Sequence, residues 1–373
     1  MMAVRILETI DECAEFKDAW DDLLRQHTDA AMDGNDVTGT IEWAISLWEN
    51  HLHSKSEKIF LVSEAGQISA ILPCHQKNSS TFGIRENILE PITELFSGRG
   101  GFLLKENSAA QLEILFDFLF SQFPGWDAFR CTLVDGSPAA KMFVEMATKR
   151  QYAVTSVHHS TSPYISLPPQ PEAYFSGLSK NFRDNLKKSE KRLGQAGKTA
   201  VRFYTTPDEV EEFLGVILSI ERRSWKEKAG TSITANPVQE GFYRRILPRA
   251  AANQWLMGTV LSVDGNPISY AMGIIFERVY YNLKASYDES MRATGAGSFI
   301  YQPIIHELYR RKVYICDFMG ECEEYKMRWT DRTYSRTTYM LYNQSIRGRL
   351  LRAKHQFAQS VRSLKRDGDT PKS

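Results

Sequence analysis

Apolar residues recur at helical spacing over residues 11–26, where Cys13, Phe16, Trp20, Leu23 and Leu24 share one side of the chain. A second helical stretch covers 41–52. Residues 58–76 then hold two apolar runs, IFLVSE and ISAILPCH, on either side of Ala65-Gly66-Gln67 and predict a hairpin. A glycine cluster, Gly98-Arg99-Gly100-Gly101, precedes an apolar helix at 109–123. A strand at 127–134 follows, closed by Asp135-Gly136-Ser137-Pro138.

The second half repeats that order. An extended, proline-rich stretch at 160–171 predicts a boundary strand or linker. A strongly basic helical region occupies 173–194. Thr206-Pro207-Asp208-Glu209 reads as a capping box with proline in the first turn of a helix running to about residue 228. Residues 255–276 form a hairpin about Asp264-Gly265-Asn266, and 279–287 a further strand. A glycine-rich stretch at 294–298 leads into a helix in which Pro303 predicts a kink. A short apolar strand at 313–318 follows. Each half therefore holds a hairpin, a glycine-bearing loop, a helix and a further strand, and the hairpin turns read alike, AGQIS against DGNPIS. This is a weak internal repeat. The alternation predicts an α/β (α+β) fold of mixed sheets flanked by helices.

A chain of 373 residues exceeds one ordinary core, so two domains are expected. Apolar residues make up 42% and charged residues 24%, the balance of a soluble globular enzyme, and the net charge of +1 favours no partner class. The first twenty residues carry acids where a secretory signal needs an apolar run, and no stretch reaches the length of a transmembrane helix. The five cysteines are odd in number, far apart and without a CxxC pair, and His158 and His159 point to opposite faces of a strand. Neither a disulfide scaffold nor a metal site is expected, and a cytoplasmic location is.

The strongest local signal is Arg292-Ala293-Thr294-Gly295-Ala296-Gly297, followed by Ser298, between a strand and a helix. A helix start exposes unpaired N–H groups and about half a positive charge. Glycines let that backbone approach a diphosphate, and Arg292 adds a charge-assisted contact. Such glycines also occur in plain strand-to-helix turns. Ile300 falls where GxGxxG requires its third glycine, which disfavours a Rossmann site.

R-x-x-G-x-G in this setting resembles the acyl-CoA pyrophosphate loop of the GNAT superfamily. The surrounding chain resembles its cellulose-biosynthesis-associated acetyltransferase branch, itself related to the FemABX aminoacyltransferases with their two GNAT-like halves. The landmarks are NFRDNLKKSEKRL, ERRSWKEK with Trp225, VDGNPISYAMG, YYNLKASYDES, RATGAGS, CDFMG and EEYKMRW, in consistent order. The resemblance implies tandem GNAT-like domains: a degenerate one at 1–165, an acyltransferase domain at 166–343, and a basic amphipathic helix and tail at 344–373. The amino-terminal Gly98–Gly101 cluster departs from the motif and is assigned no cofactor. Arg292, Gly295, Ala296, Gly297 and Ser298 are the expected donor-binding residues. The donor is an acyl-CoA or an acyl-carrier protein acting as co-substrate, with no tightly bound cofactor.

Three residues are candidates for the chemistry. Asp317, at the end of an apolar strand, is either a base whose pKa burial raises or an acid that caps the loop after it. Lys326 matches the lysine of the family's Y-K-x-x-W pattern and offers a fixed cation for an oxyanion or an anionic acceptor. Tyr287 either protonates the departing thiolate or is packing. Glu323 and Glu324 are further acids near the same loop, and Trp225 is read as core.

Residues 180–198 carry seven basic and two acidic residues, a solvated face or a phosphate-binding surface using Arg183, Lys187, Lys188 and Lys191. Residues 344–366 carry seven basic residues and no acid, with Ile346, Leu350, Ala353, Phe357, Val361 and Leu364 on one stripe. That helix either docks on its own domain, lies on an anionic membrane surface, or packs on a second subunit. The expected activity is N-acyl transfer onto an amino sugar or lipid amine in cell-envelope or exopolysaccharide synthesis. A nucleic-acid partner is not expected; the alternatives are a tRNA-dependent aminoacyltransferase and a non-catalytic binding module.

Overall fold

The hydrophobic periods translate into elements close to where the sequence puts them. In the computed structural model the described residues are 2–26, 36–50, 56–81, 84–92, 101–105 and 109–368. The first half runs β1 (Met2–Leu7), α1 (Ile10–Ala14), α2 (Lys17–Gln26), α3 (Ile41–Asn50), β2 (Glu57–Glu64), β3 (Gln67–Thr81), β4 (Ile84–Pro91), β5 (Leu103–Leu104), α4 (Ala109–Ser121), β6 (Ala128–Val134), α5 (Pro138–Lys149) and β7 (Val154–Ser166). The second runs α6 (Pro171–Gly177), α7 (Lys180–Ala196), β8 (Thr199–Tyr204), α8 (Val210–Arg222), α9 (Trp225–Lys228), α10 (Pro237–Ala252), β9 (Leu256–Val263), β10 (Asn266–Phe276), β11 (Val279–Tyr287), α11 (Ala296–Phe299), α12 (Tyr301–Arg310), β12 (Ile315–Asp317), α13 (Glu324–Met327), β13 (Thr333–Tyr342) and α14 (Ile346–Gly368). Gly98, Arg99 and Gly100 lie outside the described residues.

Local chemistry accounts for the boundaries. Both hairpins turn through two residues of positive φ, Ala65 (50°) with Gly66 (84°) and Asp264 (48°) with Gly265 (77°). That is the type I′ geometry whose twist matches the flanking strands. Asn236 and Ser179 cap α10 and α7 with their side chains. The helix beginning at Thr206 does not run on to residue 228. It stops at Arg222, where Ser224 turns its hydroxyl back onto the Glu221 carbonyl (2.7 Å), and α9 restarts at Trp225. Trp225 is 42% exposed at that new start, so its reading as core is corrected. The expected kink is present: α11 ends and α12 begins about Ile300, one turn before Pro303, whose missing N–H leaves the ladder open.

All the strands join one sheet in the order β1-β2-β3-β4-β6-β13-β7-β12-β11-β10-β9-β8, with β5 beside β3. The order is nearly symmetric about its middle. The last strand of each half is exchanged: β7 pairs with β12 of the second half, β13 with β6 of the first, and the two pair with each other. The expected boundary after residue 165 falls at the end of this exchanged strand.

A shared core holds the halves together. Trp43 of α3 meets Phe242 of α10 edge to face at 5.0 Å, and Leu47, Ile246 and Leu247 lie buried in the same cluster. Beside it, Arg249 grips Glu49 through two bonds of 2.7 and 2.9 Å. Forked pairs of this kind fix orientation as well as contributing energy.

Candidate active site

The site begins with a pair of parallel strands that part company. β11 and β12 pair only from Val279 to Tyr281 against Ile315 to Asp317. β12 then ends, while β11 continues to Tyr287. Along that free stretch β11 is bulged: Gly273 of β10 faces Asn282 and Met272 faces Lys284, which leaves Leu283 unmatched. A bulge re-aims side chains and ends regular pairing, and the space beyond the carboxyl ends of parallel strands is where open α/β sheets receive ligands.

A pocket of about 220 Å³ occupies this opening. β11 supplies Asn282 to Ala285, the turn after β12 supplies Phe318, Met319 and Gly320, and α13 with its approach supplies Glu323, Tyr325 and Lys326. Lys226 of α9 and Gln239, Phe242 and Tyr243 of α10 complete the second-half wall. Trp43 closes it from the first half.

Three ammonium groups converge there with one carboxylate. Lys326 is 5% exposed; its Nζ donates to the Glu321 carbonyl at 3.2 Å, pairs with Glu323 at 2.9 Å, and lies 5.8 Å from the Tyr325 ring centre. A Cβ on Gly320 would come within 2.9 Å of Nζ, so the backbone there leaves just enough space for the ammonium. Lys226 donates to the Ala285 carbonyl at 2.6 Å. Burial drives its pKa below the ordinary lysine range, against the pull of Glu221 and Glu323. Lys284 donates to the Thr231 carbonyl (3.0 Å) and to Gln239 Oε1 (2.7 Å). Burial raises the Tyr325 phenol pKa, so it stays protonated through the physiological range. Trp329 fixes α13 from below, edge to face with Phe182 at 4.8 Å and with its carbonyl held by Tyr174 Oη at 2.9 Å.

The candidates read from sequence divide. Lys326 and Glu323 face the pocket; Asp317, Tyr287 and Glu324 are not in its wall. Asp317 is 0% exposed, accepts the Met319 N–H at 2.7 Å and holds Tyr334 Oη at 3.1 Å. It secures the turn in which Met319 takes a positive φ of 48°. This is the geometry of the loop-capping alternative. Tyr287 packs on the glycine loop, where a Cβ at Gly297 would come 2.4 Å from its ring. This is the packing alternative. Glu324 is turned to solvent with Arg328.

The glycine loop starts where β11 ends. Residues Glu289–Thr294 make a turn of 3₁₀ helix carrying Arg292, exposed, and Gly295 takes a φ of 78° that favours glycine. α7 lies across it: Ser189 stands 2.4 Å from where a Gly295 Cβ would be, and Arg192 donates to the Ala293 carbonyl at 3.2 Å. The Gly295 N–H is taken by the Arg292 carbonyl and the Ala296 N–H by Thr294 Oγ1. Ser298 Oγ is buried without a partner among the described residues. The loop thus flanks the strand that forms the pocket rather than the pocket itself.

Sequence reasoning missed Trp43, Lys226, Gln239 and Lys284. Lys284 left a trace, a lysine inside the apolar strand YYNLKASY.

Residues 180–327 match the family model of the acetyltransferase (GNAT) domain. No curated protein matches the chain in sequence. Among solved structures, FemX superposes with a TM-score of 0.58 at 9% identity over 89% of this chain and 96% of its own. L-PGS from Bacillus licheniformis gives 0.51 at 10% identity, over 88% and 91%. A tandem GNAT protein of the clavulanic acid biosynthesis pathway, solved without AcCoA, gives 0.50 at 10% identity, over 92% and 99%. The matched domain, with β9–β11, α12 and β12 as its frame and a pocket where its parallel strands part, makes residues 180–327 an acetyltransferase (GNAT) domain, within a chain that shares its overall fold with FemX and with a tandem GNAT protein.

Proposed function

We propose that the chain moves an acyl group from the thioester of CoA, or of an acyl-carrier protein, to an amine seated in the pocket between β11 and β12. The observation that carries this reading is Lys326, an ammonium held buried in the pocket wall by its own loop. The amine lone pair attacks the thioester carbonyl carbon, and the carbonyl electrons collect on oxygen beside Lys326 Nζ. Buried, preorganised positive charge is worth most against charge that develops in the transition state. Collapse breaks the C–S bond, and the thiolate leaves with the pair. The proton shed by the amine passes to Glu323, the carboxylate of the wall, and on to the thiolate, leaving an amide and a free thiol.

Direct attack suits the side chains present. Burial raises the Cys13 thiol pKa to about 12 and those of Cys74, Cys131 and Cys316 above the ordinary range, and even the exposed Cys322 has its pKa raised by partial burial, so no thiol is poised as a nucleophile. Arg292, Gly295, Ala296, Gly297 and Ser298 are the proposed diphosphate seat, supported by the exposed Lys188, Lys191 and Arg192 of α7 alongside and by the partnerless Ser298 hydroxyl.

For the acceptor we propose an amino sugar or lipid amine of the cell envelope that also carries an acidic group, because three lysines against one glutamate line the pocket. One structural neighbour is the C-terminal domain of a putative lysylphosphatidylglycerol synthetase, a name that supports a lipid as the acceptor. The exposed lysines of α7 favour one second reading, a tRNA-borne donor; binding of tRNA that falls steeply with salt, without binding of CoA, would select it. The test is a thermal-shift series with CoA thioesters of increasing chain length. Stabilisation that rises with ligand concentration supports the reading, and none at any length refutes a CoA donor.

A further inference from the structure

As far as Phe357, α14 meets the body along one face. Leu351 is buried there, and Gly348 lies so close to the Asn343 carbonyl that a Cβ would stand 2.1 Å from its oxygen. Arg347 pairs with Asp127 at 3.2 Å, Lys354 pairs with Glu86, and His355 Nδ1 lies 3.0 Å from Tyr342 Oη. The apolar stripe is elsewhere. At about 100° per residue, Ile346, Leu350, Ala353 and Phe357 lie roughly a third of a turn from the docked face. Ile346 is 79%, Leu350 59% and Phe357 73% exposed, the three most exposed large apolar side chains among the described residues. As far as Phe357 the stripe does not dock on its own domain; the helix is held by the flank that carries Arg347, Leu351 and Lys354.

A row of large apolar side chains turned to water marks an interaction surface. Its flank identifies the partner. Of the seven basic residues between 344 and 366, Arg347 and Lys354 are engaged with the body, while Arg349 stands exposed next to the stripe and Arg352 exposed about 60° further round the helix, and the segment contains no acid. A second copy of the helix would bring like charge against like charge. An anionic bilayer brings phosphates at headgroup level and apolar chains just beneath, which is the order of groups across this helix. No helix among the described residues is long and apolar enough to cross a membrane. We propose that α14 seats the protein on the surface of an anionic lipid bilayer, with Ile346, Leu350 and Phe357 in the headgroup–acyl boundary and Arg349 and Arg352 at lipid phosphates.

The test is flotation of the full chain with vesicles of phosphatidylcholine alone and of phosphatidylcholine mixed with phosphatidylglycerol. The protein floats with the mixed vesicles, is released by salt and stays behind with the neutral ones. The triple substitution Ile346→Ser, Leu350→Ser and Phe357→Ser cuts partitioning by about tenfold or more without moving the thermal midpoint, because these side chains touch solvent. Should it fold poorly, Arg349→Gln with Arg352→Gln gives the same loss through charge. Failure to float with either vesicle, equal flotation with both, or a lipid-free dimer that the triple substitution splits overturns the proposal.

Discussion

Replacing Lys326 by methionine removes one charge and little volume. The methionine chain follows the path of the lysine stem past Gly320 and the Tyr325 ring, so packing is retained. The ion pair that is lost joins a buried ammonium to a Glu323 side chain 51% exposed, and water can solvate that carboxylate once it is alone. Screening of this kind limits the stability cost to about 1 kcal/mol. The catalytic cost is larger if the proposed role holds, because the ammonium then faces the oxyanion as it forms. Loss of one such donor lowers kcat by about 10²–10³, equivalent to roughly 3–4 kcal/mol of transition-state stabilisation. Thiol release from the acyl-CoA in the presence of amine measures the rate, and urea denaturation measures stability. A variant that turns over at the wild-type rate, or one whose loss of activity follows from unfolding, refutes the role given to Lys326.

Trp43→Ala removes a side chain 1% exposed between the halves and should cost about 3–5 kcal/mol in chemical denaturation, with KM raised by the opened pocket wall. Burial raises the Glu90 pKa, but the bond from His75 and the charge of Arg130 outweigh it and leave the pKa lowered. Its contribution is therefore fully present above the unfolded value near 4.5 and is lost as pH falls through the folded value. Glu90→Gln should cost about 1–3 kcal/mol at pH 7, and the gap from wild type should close in acid titrations of stability; a gap constant with pH contradicts this. Gly297→Ala should destabilise by about 1–3 kcal/mol by driving a Cβ into the Tyr287 ring, and Tyr287→Ala should relieve part of that cost in a double-mutant cycle. Tyr287→Phe should retain turnover; a collapse of kcat would restore the tyrosine as the thiolate's acid.

The legible parts of the fold were those governed by neighbours in sequence. β11 was bounded correctly at both ends because its apolar run is closed by an acidic turn, and both hairpins were announced by a residue–glycine pair able to take positive φ. The break at Arg223 was not legible, since Glu221-Arg222-Arg223-Ser224 holds no glycine or proline, and the stop is made by the Arg223 and Ser224 N–H groups and the Ser224 hydroxyl turning back onto the Ile220 and Glu221 carbonyls. Nor was the exchange of β7 and β13, whose register joins residues as far apart as Pro163 and Thr333. At the pocket, a matched pattern pointed to Lys326, which lines its wall. Lys226, Lys284 and Trp43 escaped because they reach one pocket from α9, β11 and α3, and only the packing of α3 on α10 brings the first half into the wall. Asp317 showed the limit of local reasoning: burial at a strand end fits a base and a loop cap equally, and the bonds from Tyr334 and the Met319 N–H are visible only in the fold.

The most direct test is mass spectrometry of the amine fraction after the purified chain has acted on a labelled acyl-CoA and a set of acidic amino sugars and amine-bearing lipids. Amide product carrying the label, with one free thiol for each amide, is the predicted result. Label recovered only as free acid, or left entirely on the thioester across the set, would contradict it.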